Sequence, residues 1–226
     1  VTPSHQFPTG VTLAMARRLA LLDWARNTKS WVIEDDYDSE FRFAGAPLTA
    51  LAGIDRAGRV IYLGTFSKTL FPGLRIGFAV LPAALVEPIA MARAVSDRFP
   101  SPLVGGALAE VIEAGEFAAH LRRMRTRYRA ARRVVAERLR EASGGLLHVP
   151  LPDHGLHLLA TLPAGVRAEK ARTILAQADV EAWLLSDTRH GPGTTEGYII
   201  GYSGHPVPAL LNAARRLGDA VRLHLG

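Results

Sequence analysis

The sequence predicts an α/β fold: a partial large domain with a mostly parallel sheet, followed by a smaller C-terminal α+β domain. Three observations predict it. The runs WVIEDDY at 31–37, RVIYLGTF at 59–66 and RIGFAVLP at 75–82 are nearly continuous in apolar residues, as strands covered on both faces are. Helical patterns flank and follow them. Polar residues gather at two strand ends, Asp35, Asp36 and Tyr37 at one and Thr65 to Lys68 at another, where open α/β sheets bind ligands.

Taken in order, residues 11–27 read as a helix that turns Leu13, Leu19, Leu22 and Trp24 toward a core. From Pro82 the pattern is helical through 83–99. After Pro100 and Pro102 one long helix is expected to run on to Ala142, closed by Gly144-Gly145. Strand-like runs then lie near 146–150, 155–162, 180–185 and 197–202, with helices near 168–178 and 207–224. The expected division is 1–100 for the large domain, 101–142 for a connecting helical region and 143–226 for the small domain, with the boundary inside the long helix around 92–120.

Composition narrows the function. A content of 48% hydrophobic and 21% charged residues in 226 is ordinary for a globular protein with a real core. No apolar run approaches the roughly 20 residues that span a bilayer, so no membrane partner is expected. Zero cysteines exclude a disulfide framework and any thiolate metal site, and fit a cytoplasmic location. The net charge of +6 invites a nucleic-acid reading. Much of it, however, lies in residues 120–141, where Leu121, Met124, Tyr128, Ala131, Val135 and Leu139 recur at helical steps. That is an amphipathic helix with a solvated arginine face, and no recognition motif accompanies it.

Lys68 is the residue that asks for an explanation. It lies in a turn of small and hydroxyl residues between two buried-looking strands, in GTFSKTLFPGLRIGF at 64–78. A lysine held there would lose solvation, its pKa would fall, and its amine would become a nucleophile at neutral pH. The alternative is a strand-end lysine that snorkels to water.

Four motifs together, TPSHQFPTG at 2–10, WVIEDDYDSEFRF at 31–43, VIYLGTFSKTLFPGLRIGF at 60–78 and SPLVGGALAEVIEAGEFAAHLRRMRTRY at 101–128, resemble the aminotransferase-like domain of MocR regulators. These are bacterial proteins of the GntR superfamily with the fold of class I pyridoxal-phosphate aminotransferases, fold type I. The resemblance runs across most of the chain and thins after about residue 145. It implies pyridoxal 5'-phosphate held as a Schiff base on Lys68, with the lysine buried because the cofactor is buried with it. It places Asp35 on the ring nitrogen, 33 residues before the lysine, and Tyr37 on the ring's phenolic oxygen. Asp36 is the rival within the doublet, since strand alternation lets only one of the two face the ring. Asp38-Ser39 reads as a helix cap.

Thr65 and Ser67 flank the lysine in a tight turn whose hydroxyls and N–H groups can hold a phosphate. The resemblance implies that Arg75 binds it by its planar fork, a surface arginine after Gly73 being the other reading. His5 is a candidate cofactor-pocket residue, with a plain loop histidine as the other reading. Two departures stand out. Phe7 occupies the place of the ring-contacting asparagine of class I enzymes, and Arg189, in LLSDTRHG at 184–191, is displaced by two residues from the family's substrate-carboxylate arginine.

The chain opens Val-Thr-Pro, so a longer parent is expected, with a DNA-binding winged helix-turn-helix ahead of this domain and head-to-tail homodimers. By analogy with the fold, the strand ending at VTPSH is expected between those of WVIEDDY and VIYLGTF, which would leave a gap in the sheet. The 226 residues alone are therefore expected to fold marginally and bind cofactor poorly. Three functions follow: an effector-sensing domain responding to an amino acid, amine or vitamer; a free-standing aminotransferase working between an amino acid and a 2-oxo acid; and an interaction module with a dead site. Turnover is left open, and the intact Asp35, Tyr37 and Lys68 weigh against the third.

Overall fold

The apolar runs at 31–37 and 59–66 lie side by side in the computed structural model, which describes residues 1–96, 101–191 and 193–226. Strand β1 (Val32–Asp36) pairs in parallel with β2 (Val60–Thr65), in register from Val32 opposite Val60 to Asp36 opposite Gly64. Strand β3 (Gly77–Val80) returns antiparallel on the other side of β2. Among the described residues the expected parallel character thus belongs to the β1–β2 ladder. The connection at 66–76 is too short for a parallel crossover, which takes about a dozen residues or more.

One expectation is corrected here. The VTPSH segment does not separate β1 from β2, whose ladder is direct and unbroken. The Val1 amino group donates to the Ile33 carbonyl at 2.8 Å, and the Asp35 N–H donates to the Val1 carbonyl at 2.9 Å. The chain start therefore runs along the edge of β1 that faces away from β2.

Helix α1 (Met15–Thr28) begins later than its pattern suggests, because the Leu13 N–H is bonded to the Pro3 carbonyl at 2.9 Å. Its inner face carries Ala25, with Leu21 and Leu22 packed against a core of Val32, Leu51 and Val60. Leu19 and Trp24, expected in that core, are half exposed at 50% and 51%. The buried position is Arg18 instead. Its guanidinium donates to three backbone carbonyls, those of Leu13 at 2.8 Å, Thr49 at 2.7 Å and Pro3 at 2.8 Å. Buried Glu34 receives the Leu51 and Ala52 N–H groups at 2.8 and 2.9 Å, an anion at the start of the short helix α2 (Leu51–Ile54).

Strand β3 is exposed along its length, and α3 (Ala83–Ser96) has no buried residue. The end of the helix expected over 83–99 lies outside the described residues. The single helix expected from 103 to 142 is two, α4 (Pro102–Glu113) and α5 (Glu116–Ala142). The break falls at Gly115, whose φ of +74° an L side chain would strain.

The chain divides into two units, one of residues 1–7 and 11–123, the other of residues 8–10 and 124–226. The division falls inside α5, just past the 92–120 range. In the second unit, β4 (His157–Thr161), β5 (Trp183–Leu184) and β6 (Gly197–Gly201) form an antiparallel sheet in the order β4-β6-β5. Helices α6 (Ala168–Ala178) and α7 (Val207–Leu225) supply Ile174 and Leu217 to its core, beside Leu158, Leu184 and Tyr198. The α5 stripe behaves as its spacing predicts, with Ala131, Val135 and Leu139 buried. Residues 146–150 make only the His148–Thr161 bridge rather than a strand, and the Val149 carbonyl accepts the Arg140 Nε–H at 3.0 Å. Among the described residues no helix is long and apolar enough to cross a membrane.

Candidate active site

A parallel in-register ladder puts the carboxyl ends of β1 and β2 next to one another. Asp36 lies opposite Gly64, so Asp35 and Tyr37 stand beside the segment that begins at Thr65. Strand β3 starts at the same end, Gly77 opposite Thr65, and Arg75 lies two residues before it. All six of these sequence-predicted residues, Asp35, Tyr37, Thr65, Ser67, Lys68 and Arg75, belong to one end of one sheet. Small residues make the close approach of β2 and β3 feasible there. A Cβ on Gly77 would meet the Gly64 carbonyl oxygen at 2.8 Å, a clash with backbone that cannot move aside.

Alternation along β1 sorts the acidic doublet. Val32, Glu34 and Asp36 are buried, Ile33 and Asp35 exposed. Asp36 is engaged within the fold, accepting the Tyr62 hydroxyl and the Ser39 hydroxyl, each at 2.8 Å. Burial, then the hydrogen bond to Asp36, pushes the Tyr62 phenol above its ordinary range. Asp35 faces the opposite, open side, which Leu63 and Thr65 share by register.

The turn after β2 is built from its own side chains. Ser67 N–H donates to Thr65 Oγ1 at 3.1 Å, and Leu70 N–H to the Phe66 carbonyl at 2.9 Å. Phe66 is the apolar anchor, 5.7 Å from the Phe78 ring and 5.6 Å from the Phe117 ring between centroids. Thr69 is buried, and its carbonyl accepts the His120 Nε2–H at 2.9 Å. Lys68 is exposed. The desolvated lysine expected from the flanking strands is therefore not found in this chain. The turn buries Thr69 and half-buries Phe66, and leaves Lys68 exposed. Arg75 is also exposed and sits at φ +53°, a left-handed conformation that costs a non-glycine residue about 1–3 kcal/mol. It caps the 3-10 turn Pro72–Leu74 and sends the chain into β3.

Behind the site lies a cluster that sequence reasoning read differently. His5 is buried, and its Nδ1 lies 2.6 Å from a carboxylate oxygen of equally buried Asp38. Asp38 is thus a hydrogen-bond partner of His5 rather than a helix cap. The Tyr37 hydroxyl, expected on the ring's phenolic oxygen, donates here to the His5 carbonyl at 3.1 Å. Burial, reinforced by the charges of Asp38, Asp35 and Asp36, holds the Tyr37 phenol well above its usual range, so it is neutral. Phe7 is exposed at 38%.

Arg189 belongs to the other unit. Its guanidinium donates to the carbonyls of Thr195 at 2.8 Å and Gly193 at 3.2 Å, both in the loop that follows it. The neighbouring Asp187 carboxyl is held below its usual range by the Arg172 guanidinium at 2.5 Å.

His120 and Arg18 are supporting residues without a local sequence signal, because their partners lie 51 and up to 31 positions away. Removing the bond from His120 with His120→Ala costs about 1 kcal/mol, so the Leu70 amide should exchange with solvent roughly fivefold faster. Hydrogen exchange checks this, and an unchanged rate would mean that the turn holds itself.

Comparison with known proteins follows the same lines. The family model described as aminotransferase class I and II matches residues 1–185. The uncharacterized HTH-type transcriptional regulator YhdI of Bacillus subtilis is 41% identical over 203 residues, which cover 90% of this chain and 43% of YhdI. The probable rhizopine catabolism regulatory protein MocR of Rhizobium meliloti is 40% identical over 205 residues, 90% of this chain and 41% of its own. The chain thus spans less than half the length of either regulator. Among solved structures, LysN, the alpha-aminoadipate aminotransferase of Thermus thermophilus, complexed with N-(5'-phosphopyridoxyl)-L-leucine, superposes with a TM-score of 0.89 at 28% identity. That match covers 100% of this chain and 58% of LysN. The fold is that of the class I aminotransferases, and the chain belongs to the aminotransferase class I and II family, similar over most of its length to the MocR-type regulators within it.

Proposed function

We propose that this chain is the effector-sensing domain of a bacterial transcription regulator and binds pyridoxal 5'-phosphate covalently through Lys68. The observation that carries the reading is the direct β1–β2 ladder, which gathers a carboxylate, a phenol, hydroxyls, an amine and a guanidinium at one open strand end. That donor set fits the group: Asp35 for the pyridine nitrogen, Tyr37 for the ring oxygen, and Thr65, Ser67 and Arg75 for the phosphate dianion. When bound, the group supplies an electron sink for chemistry at an amino carbon. Asp35 would hold a proton on the ring nitrogen, and Lys68 would supply the amine that holds the group.

The regulators at 40–41% identity favour sensing, with an amino acid, amine or vitamer as effector. DNA contact through a winged helix-turn-helix of the parent and a head-to-tail homodimer are part of the same proposal. Arg189 is the effector-carboxylate residue in this reading, and it would have to exchange the Gly193 carbonyl for that ligand. The likeness to LysN across the whole chain keeps a second reading in view, a free-standing aminotransferase. The two part on one experiment with the cofactor-loaded full-length protein and a panel of amino acids and amines. A sensor changes its spectrum and releases no more than one equivalent of oxo product per site. Sustained release with an added 2-oxo acid would establish the aminotransferase.

A further inference from the structure

Asp38 is a carboxylate only 1% exposed, and His5 an imidazole only 2% exposed. Burying such a pair costs several kcal/mol in desolvation, which close geometry offsets only in part. The backbone does not require the pair: the turn after β1 is closed by the Phe41 N–H on the Asp38 carbonyl at 2.9 Å, which a residue of any type would offer. What the pair does touch is Tyr37. The His5 ring stacks on the Tyr37 ring at 5.9 Å between centroids and 25° between planes. Its Nδ1 lies 3.3 Å from the Tyr37 oxygen, and its carbonyl takes the phenol's proton at 3.1 Å.

We infer that Asp38 and His5 are a positioning pair that holds the Tyr37 phenol at the carboxyl end of β1. The inference rests on the reading of Tyr37 given above. It follows from proton bookkeeping. A carboxylate 2.6 Å from Nδ1 accepts, so Nδ1 carries the proton and points it at Asp38. Nδ1 then cannot accept from Tyr37, and the phenol's proton has the His5 carbonyl as its acceptor. One residue thereby fixes the ring plane by stacking and the hydroxyl rotor by its carbonyl, and Asp38 fixes which way that residue faces. The Tyr37 oxygen keeps its lone pairs turned away from the carbonyl, and its proton becomes available to an anionic oxygen by a rotation of the hydroxyl alone.

The test uses the full-length protein free of cofactor, with tyrosine rings carrying a carbon-13 label. Asp38→Asn keeps the shape and removes the charge; His5→Gln keeps the carbonyl and removes the imidazole. The expected result is a shifted Tyr37 ring resonance in both variants, with the Tyr62 and Tyr198 resonances unmoved. A folded variant in which Tyr37 stays in place overturns the inference, as does a shift spread alike over Tyr37, Tyr62 and Tyr198. If both variants fail to fold, the pair is part of the core and the inference fails as well. In the cofactor-loaded full-length protein the same substitutions should move the pH midpoint of the cofactor's visible band in the same direction as Tyr37→Phe. Failure of that protein to take up cofactor would sink the proposed function and leave the tyrosine result standing.

Discussion

Asp35→Asn is expected to slow amino-group exchange by the loaded protein roughly 10²–10³-fold and to leave its stability unchanged, while Asp36→Ala does the reverse. The size follows from losing a fixed charge where the reaction develops its own, which costs that much in comparable sites. The two residues are adjacent, but the pleat of β1 sends them to opposite faces. Asp35 looks to the open side, whereas Asp36 is buried with two hydroxyl donors, from Tyr62 and Ser39. Removing Asp36 strands those hydroxyls, at roughly 1–3 kcal/mol. Stopped-flow spectra and urea melts on the two variants separate the effects. Equal loss of exchange in both, with stability intact, would show that the sorting of the doublet is wrong.

The largest effect on stability is expected at Arg18. Arg18→Met keeps the apolar stem but takes away the donors for the Leu13, Thr49 and Pro3 carbonyls. The cost is about 3 kcal/mol, and Arg18→Lys, with one compact ammonium in place of the fork, should recover only part of it. Trp24 and Trp31 report on this unit and Trp183 on the other, so a Trp183→Phe background lets urea melts by fluorescence follow the first unit alone. A loss under 1 kcal/mol would mean that water replaces the guanidinium readily, and that Pro3, and with it His5, is held by other means.

The strands that carry the site were legible in the sequence because their signal is local. Apolar runs at 31–37, 59–66 and 75–82 became β1, β2 and β3, and the α5 stripe from Ala131 to Leu139 is buried as its spacing demands. The errors share a physical cause, which is that they concern partners far apart in the chain. The edge on which VTPSH pairs is settled by hydrogen bonds between Val1 and β1, and no periodicity encodes that choice. Nothing near Arg18 in sequence signals its burial, which depends on the Leu13, Thr49 and Pro3 carbonyls around it. Asp38 reads as a cap because its partner is 33 positions away. Leu19 and Trp24 fit an inward helical stripe but are exposed, since the inner face of α1 is set by Arg18 and Ala25. The residue types at the site were legible from chemistry and resemblance together; that Lys68 stands exposed was not, because the turn is held through Phe66 on Phe117 and through the buried Thr69 on His120, both distant in sequence.

The most direct measurement is a visible absorbance spectrum of the full-length protein with pyridoxal 5'-phosphate, beside its Lys68→Ala variant. A band that builds to one equivalent per chain and is missing from the variant is the predicted result. Identical spectra from the two proteins, with or without a band, would contradict the assignment of Lys68 and leave the aminotransferase fold here as a scaffold alone.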